Sequence, residues 1–319
     1  MRTPSLSLPA NRAWVARFHG AVHQRTAHLS PTARALLWSI GAGLSFSLLN
    51  TLARALTQQL HPMEAQFLRY LFGLLVMLPW VWRAGLAAYR PKRIGGQFTR
   101  GAVHTLGLVL WFLALPKIPL ADMTAIGFTG PIFIMIGAFL FLGEPMKWER
   151  WVATAVGFGG MLVVLGPKFS GSGGGWHLVM LASAPVFAAS FLLTKALTRT
   201  ETTEVIVLWQ ALTVTVLSLP MAIPVWQWPT SIQWVGFAIS GVLGTLGHYC
   251  LTRSYRNADI SATQSLKFLD LVWASLLGFL VFADVPTVST LIGGVVICAA
   301  TLWLARRESR ALSRMDSEP

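Results

Sequence analysis

Charged side chains are scarce, at 12% of the 319 residues, about half the roughly 25% usual in a soluble domain. With 54% of the chain hydrophobic, a soluble fold would lack the polar surface needed to wrap its core. Cysteine is scarcer still. The two present, Cys250 and Cys298, lie inside apolar stretches without metal-ligand spacing and read as small hydrophobes. No G-x-x-x-x-G-K-[ST] loop, H-E-x-x-H pair or nucleophile elbow occurs, which excludes ATP hydrolysis by that loop, zincin chemistry and the α/β-hydrolase triad. The residues therefore suggest no catalytic group, no metal site and no cofactor, and they argue against an intramembrane enzyme.

What the chain does have is a succession of apolar runs and a mean hydropathy of +0.60. Ten runs, at about 35–55, 64–82, 101–116, 120–142, 151–166, 177–197, 204–224, 232–252, 260–283 and 287–305, are predicted to cross a hydrocarbon core about 30 Å thick. His61-Pro62, Arg90-Pro91, Glu144-Pro145 and Val285-Pro286 fall between them, where the missing proline N–H does least harm. The fold class expected is an all-α membrane protein of ten transmembrane helices.

The net charge of +13 raises nucleic-acid binding, but the cations sit in short clusters between apolar runs, as in membrane loops. With the N-terminus in the cytoplasm, the clusters Arg2–Arg34, Arg83–Arg100, Lys147–Arg150, Lys195–Arg199, Arg253–Arg256 and Arg306–Arg314 share one side. The other side has only Arg54, Lys117 and Lys168. That bias predicts cytoplasmic termini in a bacterial inner membrane. Residues 1–34 form a basic cytoplasmic tail, in which Trp14, Val15, Phe18 and Val22 allow either an interfacial helix or disorder. Residues 306–319 form the second tail.

The chain also repeats itself. A shift of 141 residues aligns Phe46 with Phe187, Arg54-Ala55-Leu56-Thr57 with Lys195-Ala196-Leu197-Thr198, and Leu78-Pro79 with Leu219-Pro220. A shift of 140 aligns Gly101 with Gly241, Thr105-Leu106-Gly107 with Thr245-Leu246-Gly247, and Glu144 with Asp284. The two copies, 35–166 and 177–305, flank a Gly/Ser linker at 167–176. Five spans per copy force opposite orientations in the membrane. Inverted repeats of this kind recur in secondary transporters, with the substrate near the midplane where the halves meet.

The stretch Leu120-Ala121-Asp122-Met123-Thr124-Ala125-Ile126-Gly127-Phe128-Thr129-Gly130-Pro131, followed by Phe141-Leu142-Gly143-Glu144 and by Gly157 and Gly160, resembles the EamA-type branch of the drug/metabolite transporter superfamily. The second copy departs from this pattern, reading Phe282-Ala283-Asp284 before Gly293-Gly294. The resemblance implies ten helices and transport of a small molecule. It leaves the substrate open among S-adenosylmethionine, riboflavin, amino acids and amino-acid-derived metallophores.

Charges inside spans mark candidate sites, because they are costly there. Lys267 and Asp270 share a face of the ninth span, either lining a cavity that takes a carboxylate and an ammonium or proton, or simply pairing with each other. Their counterparts in the fourth span are Gly127 and Gly130, followed by Pro131, where a loosened helix would free backbone carbonyls or only kink. Arg69 in the second span is placed either to clamp a carboxylate or to pair with Glu64. His104 and His248 are candidates for a proton relay, or for packing. Trp111 and Trp273 lie within spans and either stack on a planar substrate or pack. Glu144 and Asp284, at helix ends, suggest a structural role.

The function expected is secondary transport of a small polar, carboxylate-bearing or zwitterionic metabolite, amino-acid-derived and with metallophores included, by alternating access, with export favoured. The partners expected are that substrate and the lipid bilayer, with no nucleic acid. The alternatives are an uptake carrier for an S-adenosylmethionine-like or flavin-like compound, and a non-transporting scaffold or sensor.

Overall fold

A computed structural model describes residues 30–114, 126–127, 129–145, 147–165, 175–282 and 288–315. These residues are helical, without a strand. The helices are α1 (Pro31–Thr57), α2 (Pro62–Ala84), α3 (Ile94–Ala114), α4 (Gly130–Leu142), α5 (Trp148–Leu165), α6 (Gly175–Leu197), α7 (Thr203–Ala222), α8 (Ser231–Asn257), α9 (Leu269–Phe282) and α10 (Val288–Met315). Six segments, Pro31–Thr57, Pro62–Ala84, Gly175–Leu197, Thr203–Val225, Ser231–Asn257 and Ser261–Val281, are long and apolar enough to cross a membrane. Gly130–Leu142 and Leu291–Leu304 are shorter apolar helices.

Local chemistry sets the helix starts. Ser30 Oγ accepts the Ala33 N–H at 3.1 Å ahead of Pro31, and His61 Nδ1 accepts the Met63 N–H at 3.3 Å ahead of Pro62. In both, a side-chain acceptor meets an orphan N–H and proline supplies a preset φ.

The halves pack by exchange. α1 lies on α8 as α6 lies on α3, α2 lies on α8 as α7 lies on α3, and α4 lies on α6 as α9 lies on α1. Glycines permit the close approaches, in pairs that follow the 140–141-residue shift. A methyl added at Gly107 would sit 2.9 Å from Phe187, and one at Gly247 would sit 2.8 Å from Phe46. One at Gly101 would sit 2.5 Å from Thr213 Cβ, and one at Gly241 would sit 2.6 Å from Phe72 Cβ and from its backbone carbon.

Three expectations need correcting. The third helix starts at Ile94, so Arg100 is not a loop cation: it lies within α3 and is 2% exposed. Gln97 and Arg100 interrupt the apolar run, which hides the start of the helix from a hydropathy reading. Arg150 and Lys195 likewise lie inside helices α5 and α6. The ninth span is not one regular α-helix, because a 3-10 stretch, Ser261–Phe268, precedes α9. The last helix continues to Met315, through most of the expected tail. The readings made for residues 1–29, for 120–125 and Phe128 of the family-like stretch, for Lys117 and Lys168, for 167–174 of the linker, and for Ala283, Asp284 and Val285-Pro286 fall outside the described residues.

Glu144 closes this region structurally. Its carboxylate accepts the Ile260 N–H at 2.8 Å, the Ser261 N–H at 3.0 Å and the Ser261 hydroxyl at 2.6 Å, so the end of α4 holds the start of the 3-10 stretch. Glu144→Gln puts a donor where acceptors are needed and is expected to cost about 1–3 kcal/mol, read as a lower melting temperature in detergent. Glu149→Gln, which loses a 3.8 Å pair with a half-exposed Arg307, should stay within about 0.5 kcal/mol of wild type.

Candidate functional site

Halfway along the bundle, five helices bring polar side chains together in its interior. Tyr70 of α2 sets its hydroxyl 3.0 Å from His104 Nε2 on α3 and 3.3 Å from His248 Nε2 on α8. His104 Nδ1 lies 3.1 Å from Ser190 Oγ on α6, and His248 Nε2 lies 3.2 Å from Gln210 Nε2 on α7. The two imidazoles meet edge to face at 5.3 Å. Each also packs edge to face against the phenylalanine of the other half, His248 on Phe46 at 5.0 Å and His104 on Phe187 at 5.3 Å. The repeat-related residues Phe46 and Phe187 thus wall the network from both sides.

Arg100 anchors one end. Its guanidinium donates to Thr194 Oγ1 at 2.5 Å, to the Ile206 carbonyl at 3.0 Å and to Gln210 Oε1. All three acceptors are neutral, and among the described residues this fully buried cation has no carboxylate partner. The spacing of Gln97, Arg100 and His104, at i, i+3 and i+7, puts them on one face of α3; Gln66, Arg69, Tyr70 and Gly73 do the same on α2. The Gln66 and Gln97 amides are buried and have no hydrogen-bond partner among the described residues, so each polar face continues beyond the network.

Beside Tyr70 and His248 lies a small hollow of about 10 Å³, room for about one water and far below the roughly 300–1,000 Å³ of small-molecule sites, so a metabolite fits only if the helices around it part. Arg69, Tyr70, Gly73, Val207, Gln210, Ala211, Gly241, Gly244, Thr245 and His248 line it. Gly73 and Gly244 stand midway along α2 and α8, so the hollow lies at mid-depth between the two halves. Gly241 lets α8 press on α2 beside it, and a methyl at Gly244 would come 3.4 Å from Arg69 Nε. The Arg69 guanidinium lies 4.9 Å from the centre of the Tyr70 ring and has no ion-pair partner among the described residues. Glu64 does not serve it: one carboxylate oxygen accepts the Gln227 N–H at 3.0 Å and the other has no partner among the described residues.

The other sequence candidates divide. Lys267 and Asp270 pair with each other at 3.8 Å, beyond the hollow. Lys267 Nζ stands 5.6 Å from the Phe46 ring centre, and the same ring packs on His248 at 5.0 Å. The Asp270 carboxylate packs on Gly43, beside Trp273, whose indole N–H is buried and unpartnered among the described residues. Trp111 lies in the apolar cluster of Met63, Leu108, Phe112 and Val214. Gly127 and Gly130 have open space at Cα, and Pro131 is buried in the first turn of α4, so the Gly-Pro step begins a helix where a mid-span kink was expected. Tyr70, Arg100, Ser190 and Gln210 were not singled out in the sequence. The recurring i, i+3, i+7 polar spacing on α3 was the available signal.

Two segments of the chain, 33–166 and 174–306, match the EamA-like transporter family. The chain is 36% identical to a riboflavin transporter of Rhizobium johnstonii, over 86% of this chain and 91% of that protein. It is 30% identical to an S-adenosylmethionine uptake transporter of Rickettsia felis, over 87% and 94%. A pseudopaline exporter of Pseudomonas aeruginosa, CntI, is 28% identical over 85% and 95%. A solved crystal structure shares the fold with a TM-score of 0.75 at 22% identity, covering 86% of this chain and 98% of that one. The chain is a multi-pass membrane protein that belongs to the EamA-like transporter family of the drug/metabolite transporter superfamily.

Proposed function

We propose that this chain is a secondary transporter of an amino-acid-derived, carboxylate-bearing metabolite, and that the mid-depth hollow, closed to about one water here, opens into its substrate site as the helices part. The observation that carries this reading is Arg69, a guanidinium on the hollow without a carboxylate partner among the described residues. A guanidinium takes a carboxylate through two parallel hydrogen bonds, and Gln210, Tyr70 and Thr245 add neutral polar groups around it. The site works by alternating access of two five-helix halves in ten spans of opposite orientation, with both termini in the cytoplasm and the inner membrane as location. The double family match and the exchanged packing support that architecture. Lys267, Asp270 and Trp273 flank the site near Phe46; Gly127, Gly130 and Pro131 leave open backbone at the start of α4; and Trp111 backs the site with apolar packing. Uptake is the direction we adopt, because the S-adenosylmethionine relatives carry it in their names; export has the pseudopaline relative in its favour. A flavin-like substrate is the second reading, favoured by the 36% identity to the riboflavin transporter, with Arg69 then facing ring carbonyls.

Uptake of labelled S-adenosylmethionine and labelled riboflavin into proteoliposomes separates the two: the carboxylate reading expects the first to enter and the second to be excluded. The Lys267–Asp270 pair has its own test. Lys267→Met leaves Asp270 without its cation and should lower stability by about 3 kcal/mol, whereas Lys267→Met with Asp270→Leu should recover most of that loss. Melting curves of both variants in detergent check it.

A further inference from the structure

Arg100, Gln210 and His248 fix each other's hydrogen bonds. A guanidinium only donates, so the amide of Gln210 must turn Oε1 to Arg100. Its NH2 then faces His248 Nε2 at 3.2 Å, and that nitrogen must be a bare acceptor. The Tyr70 hydroxyl approaches the same nitrogen at 3.3 Å. In this arrangement His248 is neutral, with its ring proton on Nδ1.

We propose that His248 Nε2 is the proton-binding site of the transport cycle, and that Gln210 transmits its charge to Arg100. A proton taken from water adds to the Nε2 lone pair and later leaves from it; no other covalent bond changes. Once protonated, Nε2 is a donor and can no longer accept from the Gln210 amide. Gln210 must then offer Oε1 to His248 and its NH2 to Arg100, where donor meets donor, or it must release one partner. Arg100 also bonds Thr194 of α6 and the Ile206 carbonyl of α7, so the proton loosens a joint between the halves. The groups around His248 make the proton conditional. From α2 come Tyr70 and Arg69, and from α3 come His104 and Arg100. Against Phe46 of α1 stands Lys267, already paired with Asp270. No carboxylate among the described residues directly faces the imidazole. A substrate carboxylate in the hollow supplies one, which ties proton and substrate to a shared site; this link rests on the reading of the hollow given above.

The test is side-chain NMR of the full chain in detergent micelles, labelled with 15N-histidine. The His248 signals are assigned by their absence in His248→Gln or, should that variant not fold, by removing the other histidines. In wild type at neutral pH the His248 ring is expected in the Nδ1–H form with a bare, hydrogen-bonded Nε2, gaining a second proton on acidification. In Gln210→Glu, whose carboxylate accepts from both Arg100 and His248, the ring is expected to carry both protons at neutral pH. A mere packing role for Gln210 would not produce that change. An Nε2–H form in wild type, or a Gln210→Glu ring unchanged from wild type, overturns the proposal. These readouts need no substrate, so a failure of the hollow as the substrate site would show separately, as transport unaffected by Arg69→Gln.

Discussion

Arg69→Ala is expected to lower transport by about 30-fold or more, because truncating one partner of a desolvated, hydrogen-bonded charge pair costs roughly 2–5 kcal/mol. The loss should fall on substrate binding, since the guanidinium holds the carboxylate in the resting complex and in the moving one. Arg69→Lys keeps the charge without the planar fork and should retain part of the activity. Removing Arg69 should leave folding nearly intact. The side chain is half-buried, it has no ion-pair partner among the described residues, and its close neighbours are the Tyr70 ring and Gly244. Initial rates and melting temperatures measured on one preparation separate the two effects.

Gly241→Ala carries the largest structural effect. Its new methyl would lie 2.6 Å from the backbone carbon of Phe72 and 2.8 Å from the Gly73 nitrogen, so it meets main chain that cannot rotate away. α2 and α8 must separate, and overpacking of this kind costs about 3 kcal/mol. Gly244→Ala, one turn further along α8, makes the contrast: its methyl meets only side chains, the Arg69 guanidinium at 3.4 Å and Leu49 at 3.7 Å. That variant should melt near wild type yet transport less, because it crowds the guanidinium. Melting curves and initial rates of the two variants check both outcomes.

These predictions involve residues that the sequence revealed unevenly. The close helix contacts were legible because they leave a periodic trace: Gly101 with Gly241, and Gly107 with Gly247, recur at one offset, and each is a place where a methyl would meet a facing helix. Arg69 was legible as a lone charge in an apolar run. Arg100 was not, because it sits beside the loop cations Lys92 and Arg93, and only the folded chain shows Thr194, Ile206 and Gln210 converging on it. His104 and His248 were visible singly, but the Tyr70 hydroxyl that joins them comes from a third helix. Lys267 drew attention as a charge in a span, and the fold answers it locally, with Asp270 one 3-10 turn away. A sequence shows which groups are costly to bury; which partners offset that cost depends on tertiary contacts.

The most direct test of the substrate site is metabolite profiling of cells carrying the wild-type chain, Arg69→Gln or no chain, with expression of both proteins matched. The wild-type chain is expected to change the cellular content of carboxylate-bearing, amino-acid-derived compounds, and Arg69→Gln to return the profile to that of cells without the chain. A wild-type effect confined to compounds without a carboxylate, or an Arg69→Gln profile equal to wild type, would contradict it.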